Sequence, residues 1–186
     1  MGKKVQILLF SSRQNGNCAN IGNYISNYHS ADSVQIHSVH DLQPCGNCNY
    51  ECLQPGATCP NVTEHQRNVM DAVRTSDLVY YVIPNICGFP CAAFFAFNER
   101  GIGYFNMDRA VMGEYMGIKK RFIIVSNTQS DNFKNAVAQQ TNEDPDMLYM
   151  KTGKYKKRST AGDILDSEEA VADLKAFLDA YTTILP

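Results

Sequence analysis

Residues 10–21 carry the side chains best suited to binding a ligand, in the order Phe10-Ser-Ser-Arg-Gln-Asn-Gly-Asn-Cys-Ala-Asn-Ile21. An apolar run at 5–10 and an amphipathic run after this segment predict a strand, a polar loop and the start of a helix. Backbone N–H groups and the positive end of the helix dipole favour an anion in such a loop. The hydroxyls of Ser11 and Ser12 and the guanidinium of Arg13 can add hydrogen bonds. The predicted ligand is therefore a phosphate monoester.

This loop differs from the two common nucleotide-binding fingerprints. A Walker loop needs Gly-x-x-x-x-Gly-Lys-Ser/Thr and a dinucleotide-binding loop needs three glycines, whereas Gly16 is the one glycine in this loop. What remains is a mononucleotide loop that uses side-chain hydroxyls and one arginine. The alternative interpretation is an ordinary polar strand-to-helix loop that binds nothing.

The loop resembles the first loop of the NADPH-dependent FMN reductase family of flavodoxin-like proteins, which reads roughly Gly-Ser-x-Arg-x-x-Gly-Asn-Thr. Phe10 stands here in place of the leading Gly, and Cys18 replaces the Thr and so removes one hydroxyl. The resemblance implies that the phosphate of FMN is bound by this loop and the start of the first helix. The implied ligands are Ser11, Arg13, Asn17, Cys18 and Ala19.

Two further segments resemble flavin-contacting loops of that family. Residues 84–90, Pro-Asn-Ile-Cys-Gly-Phe-Pro, correspond to a family loop Thr-Pro-x-Tyr-x-Gly that holds the isoalloxazine ring, with Ile86 in place of the Tyr. Residues 126–131, Ser-Asn-Thr-Gln-Ser-Asp, correspond to a loop that covers the other side of the flavin. The resemblance implies ring contacts, in the first loop largely from the backbone, at Pro84, Asn85, Ile86, Cys87, Gly88, Asn127 and Thr128.

Two weaker correspondences lie elsewhere in the chain. Glu99 and Arg100 stand where the family's next helix often ends in Asp-Arg, and a surface ion pair of little energy is the alternative interpretation. The segment Ala161-Gly-Asp163 is similar to part of a Ser-x-Ala-Gly-Asp segment in some family members. The resemblance thus touches most of the chain.

Four of the seven cysteines fall within residues 45–59, separated by two, three and six residues. Iron–sulfur flavoproteins, which are relatives of the resembled family, carry four cysteines at about this place with a tighter spacing. Such thiolates can hold a [4Fe–4S] cluster or a zinc ion. The additional residue between the second and third cysteines favours free thiols, so the metal ligands stay undecided and a cluster is possible but not favoured. A disulfide framework is not expected, because no secretion signal is recognised.

Apolar runs of two kinds alternate along the chain. Strands are predicted at 4–10, 34–39, 78–83, 122–126 and 147–150, and helices at 19–28, 64–75, 90–100, 132–140 and 167–181. This alternation predicts one domain over residues 1–186 with an α/β, flavodoxin-like, three-layer doubly wound fold. Its five-stranded parallel sheet has the order 2-1-3-4-5. That order places the ligand crevice at the carboxyl ends of strands one and three.

Composition argues against several kinds of partner. A net charge of −2 gives no reason to expect nucleic acid binding, and no apolar run approaches the length of a membrane span. The short apolar run at the N-terminus is predicted to be a strand rather than a signal peptide, so a cytoplasmic location is expected. The aromatic-rich helix near residues 94–105 and the family resemblance favour a homodimer or homotetramer.

These observations predict an FMN-dependent NAD(P)H oxidoreductase. Hydride passes from a nicotinamide through bound FMN to a quinone, a flavin or another small electrophile. No catalytic residue is assigned, because the flavin carries the chemistry. The alternatives are an iron–sulfur flavoprotein, a flavodoxin-type electron carrier, and a non-enzymatic binding module that has lost flavin.

Overall fold

A single twisted sheet forms the centre of the computed structural model, which describes residues 3–29, 34–46, 48–57, 59–128 and 132–182. Its long strands run parallel in the order β2-β1-β3-β5-β6, and β4 pairs antiparallel with the end of β3. The strands are β1 (Val5–Leu9), β2 (Val34–Ser38), β3 (Leu78–Ile86), β4 (Phe89–Pro90), β5 (Lys119–Ser126) and β6 (Asp146–Lys151). The predicted five-stranded flavodoxin-like order is confirmed, with β4 as a short addition.

Helices cover both faces of the sheet and give the predicted three layers. They are α1 (Asn17–Tyr28), α2 (Glu64–Arg74), α3 (Ala92–Phe105), α4 (Arg109–Gly117), α5 (Asn132–Val137) and α6 (Glu168–Thr182). One buried cluster joins α1 and α6 to one face of the sheet, and a second cluster joins α2, α3, α4 and α5 to the other face. None of the helices in the described ranges is long and apolar enough to cross a membrane.

The central strand β3 contributes side chains to both buried clusters. Tyr80 and Val82 belong to the cluster with α1 and α6, whereas Tyr81 and Ile83 belong to the cluster with α2 to α5. This follows from the alternation of side chains along a strand. Because β1 and β5 flank β3 on either side and helices cover both faces, β3 is apolar along most of its length.

Helix α4 was not predicted from the sequence. It contains Gly113 and ends at Gly117, and glycine is a poor helix former. Its first turn is instead stabilised by the Asp108 carboxylate, which accepts hydrogen bonds from the N–H groups of Ala110 (2.9 Å) and Val111 (3.1 Å). The buried ring of Tyr115 fixes the helix to the rest of the molecule.

Candidate functional site

The first predicted loop begins where β1 ends, at the carboxyl edge of the sheet. The N–H of Phe10 donates to Val82 O of β3 (3.1 Å), so the chain leaves the sheet directly beside β3. The Phe10 side chain is only 2% exposed and packs against the rings of Tyr81, Phe94 and Phe97. The residue that stands in place of the resembled family's glycine therefore fills the core.

Helix α1 begins with the features of an anion site. Gly16 precedes the helix, and among the described residues no side chain caps the first turn and no acidic residue lies in it. A Cβ at Gly16 would lie 3.0 Å from Cβ of Arg13, so this turn has little room for a side chain. The first N–H groups of a helix lack intrahelical partners and point along the positive end of its dipole. Residues 17–19 therefore present N–H groups suited to a phosphate.

Cys18 contributes to the first turn through its backbone only. Its thiol is buried in the cluster between the sheet and α1. Burial, followed by the nearby Cys91, raises the pKa of the Cys18 thiol to about 12. The thiol therefore stays neutral and faces the core, whereas the partly exposed Ala19 follows it in the same turn.

Arg13 joins the first loop to a distant segment, residues 158–164. Its two Nη atoms donate to Thr160 O (2.9 Å) and Ser159 O (3.1 Å). In the same segment, Gly162 has φ +77°, and a Cβ there would lie 2.3 Å from Asn15 O. Glycine is therefore required for this close approach of two backbones. The 158–164 segment thus packs directly on the first loop.

Asn17 makes the same connection with its side chain. Its Nδ2 donates to Arg158 O and Ser159 O, both at 3.2 Å, and its Oδ1 accepts the N–H of Ile164 (3.0 Å). The amide is fully occupied by these bonds, which leaves the backbone N–H of Asn17 as the group that can face a ligand. The sequence of residues 161–163 resembles a family segment, but it does not predict the packing of these residues on the first loop.

The second predicted loop forms a β-hairpin. Strand β3 continues to Ile86 rather than ending at residue 83, and Cys87 (φ +52°) and Gly88 (φ +90°) then form a two-residue turn into β4. Two positive φ angles are typical of the hairpin turn whose twist matches paired strands. Ile86 is 56% exposed and lies on the hairpin beside the candidate site.

Asn85 connects the second and third predicted loops. Its Oδ1 accepts the N–H of Gly88 (2.8 Å), and its Nδ2 donates to Ser126 Oγ (2.6 Å) and, at longer range, to the carbonyl and hydroxyl oxygens of Thr128 (3.3 and 3.4 Å). Asn127 is exposed beside them. Residues 129–131, the rest of the third predicted segment, lie outside the described residues. The structure thus brings these two loops together through one side chain.

The three loops leave neighbouring positions on one edge of the sheet. Leu9 of β1 pairs with Val82 of β3, and Pro84 of β3 pairs with Val125 of β5. Since β2 and β3 lie on opposite sides of β1, the loops after β1 and β3 flank the topological switch point, where flavodoxin-like sheets form their crevice. The predicted convergence of the first two loops at this edge agrees with the structure.

Arg100 and Glu99 do not form the surface ion pair that was the alternative interpretation. Arg100 is buried, and its guanidinium donates to Gln43 O (2.7 Å), Pro44 O (2.8 Å) and Asn61 O. The Glu99 carboxylate instead accepts the N–H of Cys45 (2.9 Å). Both residues hold the cysteine-containing segment 45–59 against α3.

The described cysteines do not form a recognisable metal site. All seven are unpaired thiols. Within the described ranges, no three His, Cys, Asp or Glu side chains are arranged so that they could hold one metal ion. The assignment of metal ligands therefore gains no support from the geometry.

Comparison with known proteins places the chain by its fold. No protein-family model and no curated protein matches the sequence. The structure, however, is similar to many solved structures. A putative quinone reductase from Klebsiella pneumoniae superposes with a TM-score of 0.60 at 14% identity, covering 96% of this chain and 85% of that one. The fold is flavodoxin-like.

Two further solved structures extend this result. FerB from Paracoccus denitrificans, a flavoenzyme NAD(P)H:(acceptor) oxidoreductase, has a TM-score of 0.56 at 13% identity and covers 95% of this chain and 96% of its own. General stress protein 14 from Treponema denticola, in complex with FMN, has a TM-score of 0.53 at 12% identity and covers 96% and 98%. The resemblance to FMN reductases and quinone reductases is thus confirmed at the level of the fold.

Proposed function

We propose that this protein is an FMN-dependent NAD(P)H oxidoreductase that passes hydride from a nicotinamide through bound FMN to a quinone, a flavin or another small electrophile. One observation carries the proposal: an uncapped helix N-terminus free of acidic residues, within the described ranges, lies at the switch point beside a hairpin and a polar loop. Solved structures of the same fold include an NAD(P)H:(acceptor) oxidoreductase and a complex with FMN.

The phosphate of FMN fits the first loop. The N–H groups of residues 17–19 and the hydroxyl of Ser11 are donors of the right kind, and no acidic side chain of the described first turn opposes a dianion. Arg13 adds a positive charge at the same loop while its Nη atoms donate to residues 159 and 160. In this proposal the side chain of Asn17 orients the loop, and its N–H binds the phosphate.

The flavin ring fits the hairpin and the loop joined to it. Backbone groups from Pro84 to Gly88 would bond its polar edge, the exposed Ile86 would contact an apolar part of the ring, and Asn127 and Thr128 would approach from the other side. FMN, when bound, supplies the hydride chemistry. The protein's own residues bind and orient the cofactor, so we assign no catalytic side chain.

Binding of FMN against riboflavin is the first test. Because the two flavins share the ring and differ in the phosphate, FMN is expected to bind roughly tenfold tighter or more if the first loop binds phosphate. Ala19→Glu places a carboxylate in the first turn of α1 and is expected to weaken FMN binding while leaving riboflavin binding unchanged. Asn23→Glu, on the exposed face of the same helix, is the matched control. Equal affinity for both flavins would refute the phosphate site.

Activity is the second test. Protein loaded with FMN is expected to oxidise NADH or NADPH in the presence of a soluble quinone, with iron and zinc measured on the same sample. About four irons per chain would favour the iron–sulfur flavoprotein. Flavin binding without turnover of either nicotinamide would favour a flavodoxin-type carrier. A protein that takes up no flavin would favour the remaining alternative, a non-enzymatic binding module that has lost flavin.

We also propose that the protein forms a homodimer through α3 and α4. Phe95, Ile102, Met107 and Met112 each leave between 44% and 56% of their surface exposed. Three of them line a groove of about 190 Å³, which is bordered by Ile102, Phe105, Met107, Asp108, Arg109 and Met112. Exposed apolar patches of this kind mark association sites, and the adjacent opposite charges of Asp108 and Arg109 suit a two-fold symmetric contact.

The mass in solution tests the dimer. Light scattering after size exclusion is expected to give twice the chain mass for the unmodified protein and the chain mass for Met112→Lys. Asn23→Lys, on α1 at the opposite face of the sheet, is expected to leave the dimer intact. A monomeric unmodified protein would refute this proposal without affecting the flavin proposal.

A further inference from the structure

The two ends of the cysteine-containing segment 45–59 are held together by one side chain. The guanidinium of Arg100 donates to the carbonyl of Pro44, directly before Cys45, and to the carbonyl of Asn61, two residues after Cys59. One guanidinium therefore contacts the chain on both sides of the segment. Cys45 and Cys59, the first and last cysteines of the segment, are thereby brought to the same part of α3.

Cys45 and Cys59 contact α3 one helical turn apart. The Sγ of Cys45 lies 3.9 Å from Glu99 O, and its N–H donates to the Glu99 carboxylate (2.9 Å). The Sγ of Cys59 lies 2.7 Å from the position that a Cβ on Gly103 would occupy. Four residues of helix correspond to about 6 Å along its axis. Cys59 is also among the groups whose charge raises the pKa of the Cys45 thiol, so the two thiols are near neighbours, as a disulfide requires.

The two thiols differ in access. Cys45 is exposed, whereas Cys59 is only 7% exposed and lies between the segment and α3. In such a pair the accessible thiol can attack an external disulfide and form a mixed disulfide. The buried thiol can then displace the small thiol that is still attached. Both are free thiols in this structure.

We propose that Cys45 and Cys59 form a reversible intramolecular disulfide, with a low-molecular-weight disulfide such as glutathione disulfide as the oxidant. The thiolate of Cys45 attacks one sulfur of the oxidant, which forms a mixed disulfide and releases one small thiol. Cys59 then loses its proton to solvent, and its thiolate attacks Sγ of Cys45 and releases the second small thiol. Two protein thiols lose two electrons and two protons, which reduce the oxidant to two thiols. The reaction is independent of flavin.

Glu51 allows a direct test, since it lies between the two pairs of cysteines in the segment. A protease that cuts after Glu separates Cys45 and Cys48 from a peptide, residues 52–64, that contains Cys52 and Cys59. The intact protein is treated with glutathione disulfide or dithiothreitol, free thiols are alkylated, and the digest is measured by mass spectrometry. Oxidation is expected to link the two peptides, with fragmentation locating the bridge at Cys45 and Cys59.

Single substitutions distinguish the Cys45–Cys59 pair from other pairs of cysteines. Cys45→Ser and Cys59→Ser are expected to abolish the link, whereas Cys52→Ser is expected to keep it. Because Cys45 is exposed, its variant should fold normally, which a thermal melt checks, and it keeps the test valid if Cys59→Ser is unstable. A bridge inside peptide 52–64, a bridge to another cysteine, or complete alkylation after oxidation would overturn the proposal.

Discussion

Four polar side chains, Arg13, Asn17, Asn85 and Arg100, connect segments that are far apart in the sequence. Arg13 and Asn17 bond residues 158–164, Asn85 bonds residues 126 and 128, and Arg100 bonds residues 43, 44 and 61. Most of their partners are backbone oxygens of loops, which have no strand or helix partner of their own. These side-chain donors supply the missing partners, so each side chain fixes the position of one loop.

Arg100→Met should be strongly destabilising. It removes three donors from the carbonyls of Gln43, Pro44 and Asn61 and leaves these oxygens without their partner at a partly buried site. We expect a loss of about 3 kcal/mol in the free energy of unfolding, measured by chemical denaturation. The exposed Arg67→Met in α2 should change it by less than about 0.5 kcal/mol. Similar values for both variants would contradict the structural role of Arg100.

Glu99→Gln should make Cys45 more reactive. Burial, and then the Glu99 carboxylate, raise the pKa of the Cys45 thiol, and Gln removes the charge while keeping an oxygen for the Cys45 N–H. Because the thiolate is the nucleophile, alkylation of Cys45 at neutral pH should be faster in the variant. For both proteins the rate should increase as the pH rises towards the thiol pKa. Peptide-resolved alkylation rates test this, and unchanged rates at Cys45 would argue against the carboxylate's effect.

At the scale of the elements, helix α3 has a glycine at the point where the 45–59 segment packs on it. Its N-terminal half follows the β3–β4 hairpin, and its C-terminal half receives the 45–59 segment at Glu99, Arg100 and Gly103. Glycine inside a helix costs about 1 kcal/mol relative to alanine. The space that Gly103 leaves is taken up by Cys59 and Val62, whose side chains lie within 2.9 Å of its missing Cβ.

Gly103→Ala and Gly113→Ala should therefore have opposite effects. At Gly103 a Cβ would meet Cys59 Sγ at 2.7 Å, and the cost of overpacking, about 1–3 kcal/mol, exceeds the gain in helix propensity. At Gly113 in α4 nothing lies within 4 Å of the new Cβ, so alanine should stabilise by about 0.5–1 kcal/mol. Thermal denaturation of both variants measures this. Stabilisation at both positions would contradict the close packing of Cys59 on α3.

At the scale of the whole molecule, buried ionisable groups set the pH dependence of stability. Burial lowers the pKa of Lys120 from 10.5 to about 7, and burial, with Arg121 and Lys3, lowers the pKa of His29 below 6.5. Burial raises the pKa of Tyr80 from 10.0 to about 12. The unfolded chain therefore binds more protons at His29 near pH 6 and at Lys120 between pH 7 and 10.5. The folded protein binds more protons at the Cys18 thiol, whose pKa rises from 9.0 to about 12, and at Tyr80.

Stability should consequently rise with pH from the acid side, reach a maximum near pH ~9 and then fall. Denaturation at a series of pH values measures this profile. Lys120→Met should remove most of the rise between about pH 7 and 9, because the group responsible for it is gone, while the fall above about pH 9 remains. A variant profile parallel to that of the unmodified protein would show that Lys120 does not cause the rise.

The sequence alone determined the layers of the molecule. Alternating apolar runs of two periods predicted the five parallel strands and most helices, because local periodicity decides which side of an element is buried. The order of strands then placed the loops after β1 and β3 at one edge, as the structure has them. Helix α4 escaped prediction, because its stability comes from the Asp108 cap and the packing of Tyr115 rather than from propensity.

Only the tertiary structure decided which partner each polar or aromatic side chain takes. The Phe10 ring fills the core, the amide of Asn17 bonds residues 158–164 instead of standing free, and Arg100 is buried among carbonyls rather than paired at the surface. The sequence identifies the donor group but does not determine its distance from an acceptor. That distance is set when packing of the sheet and helices brings together groups that are 39 to 147 residues apart in the sequence.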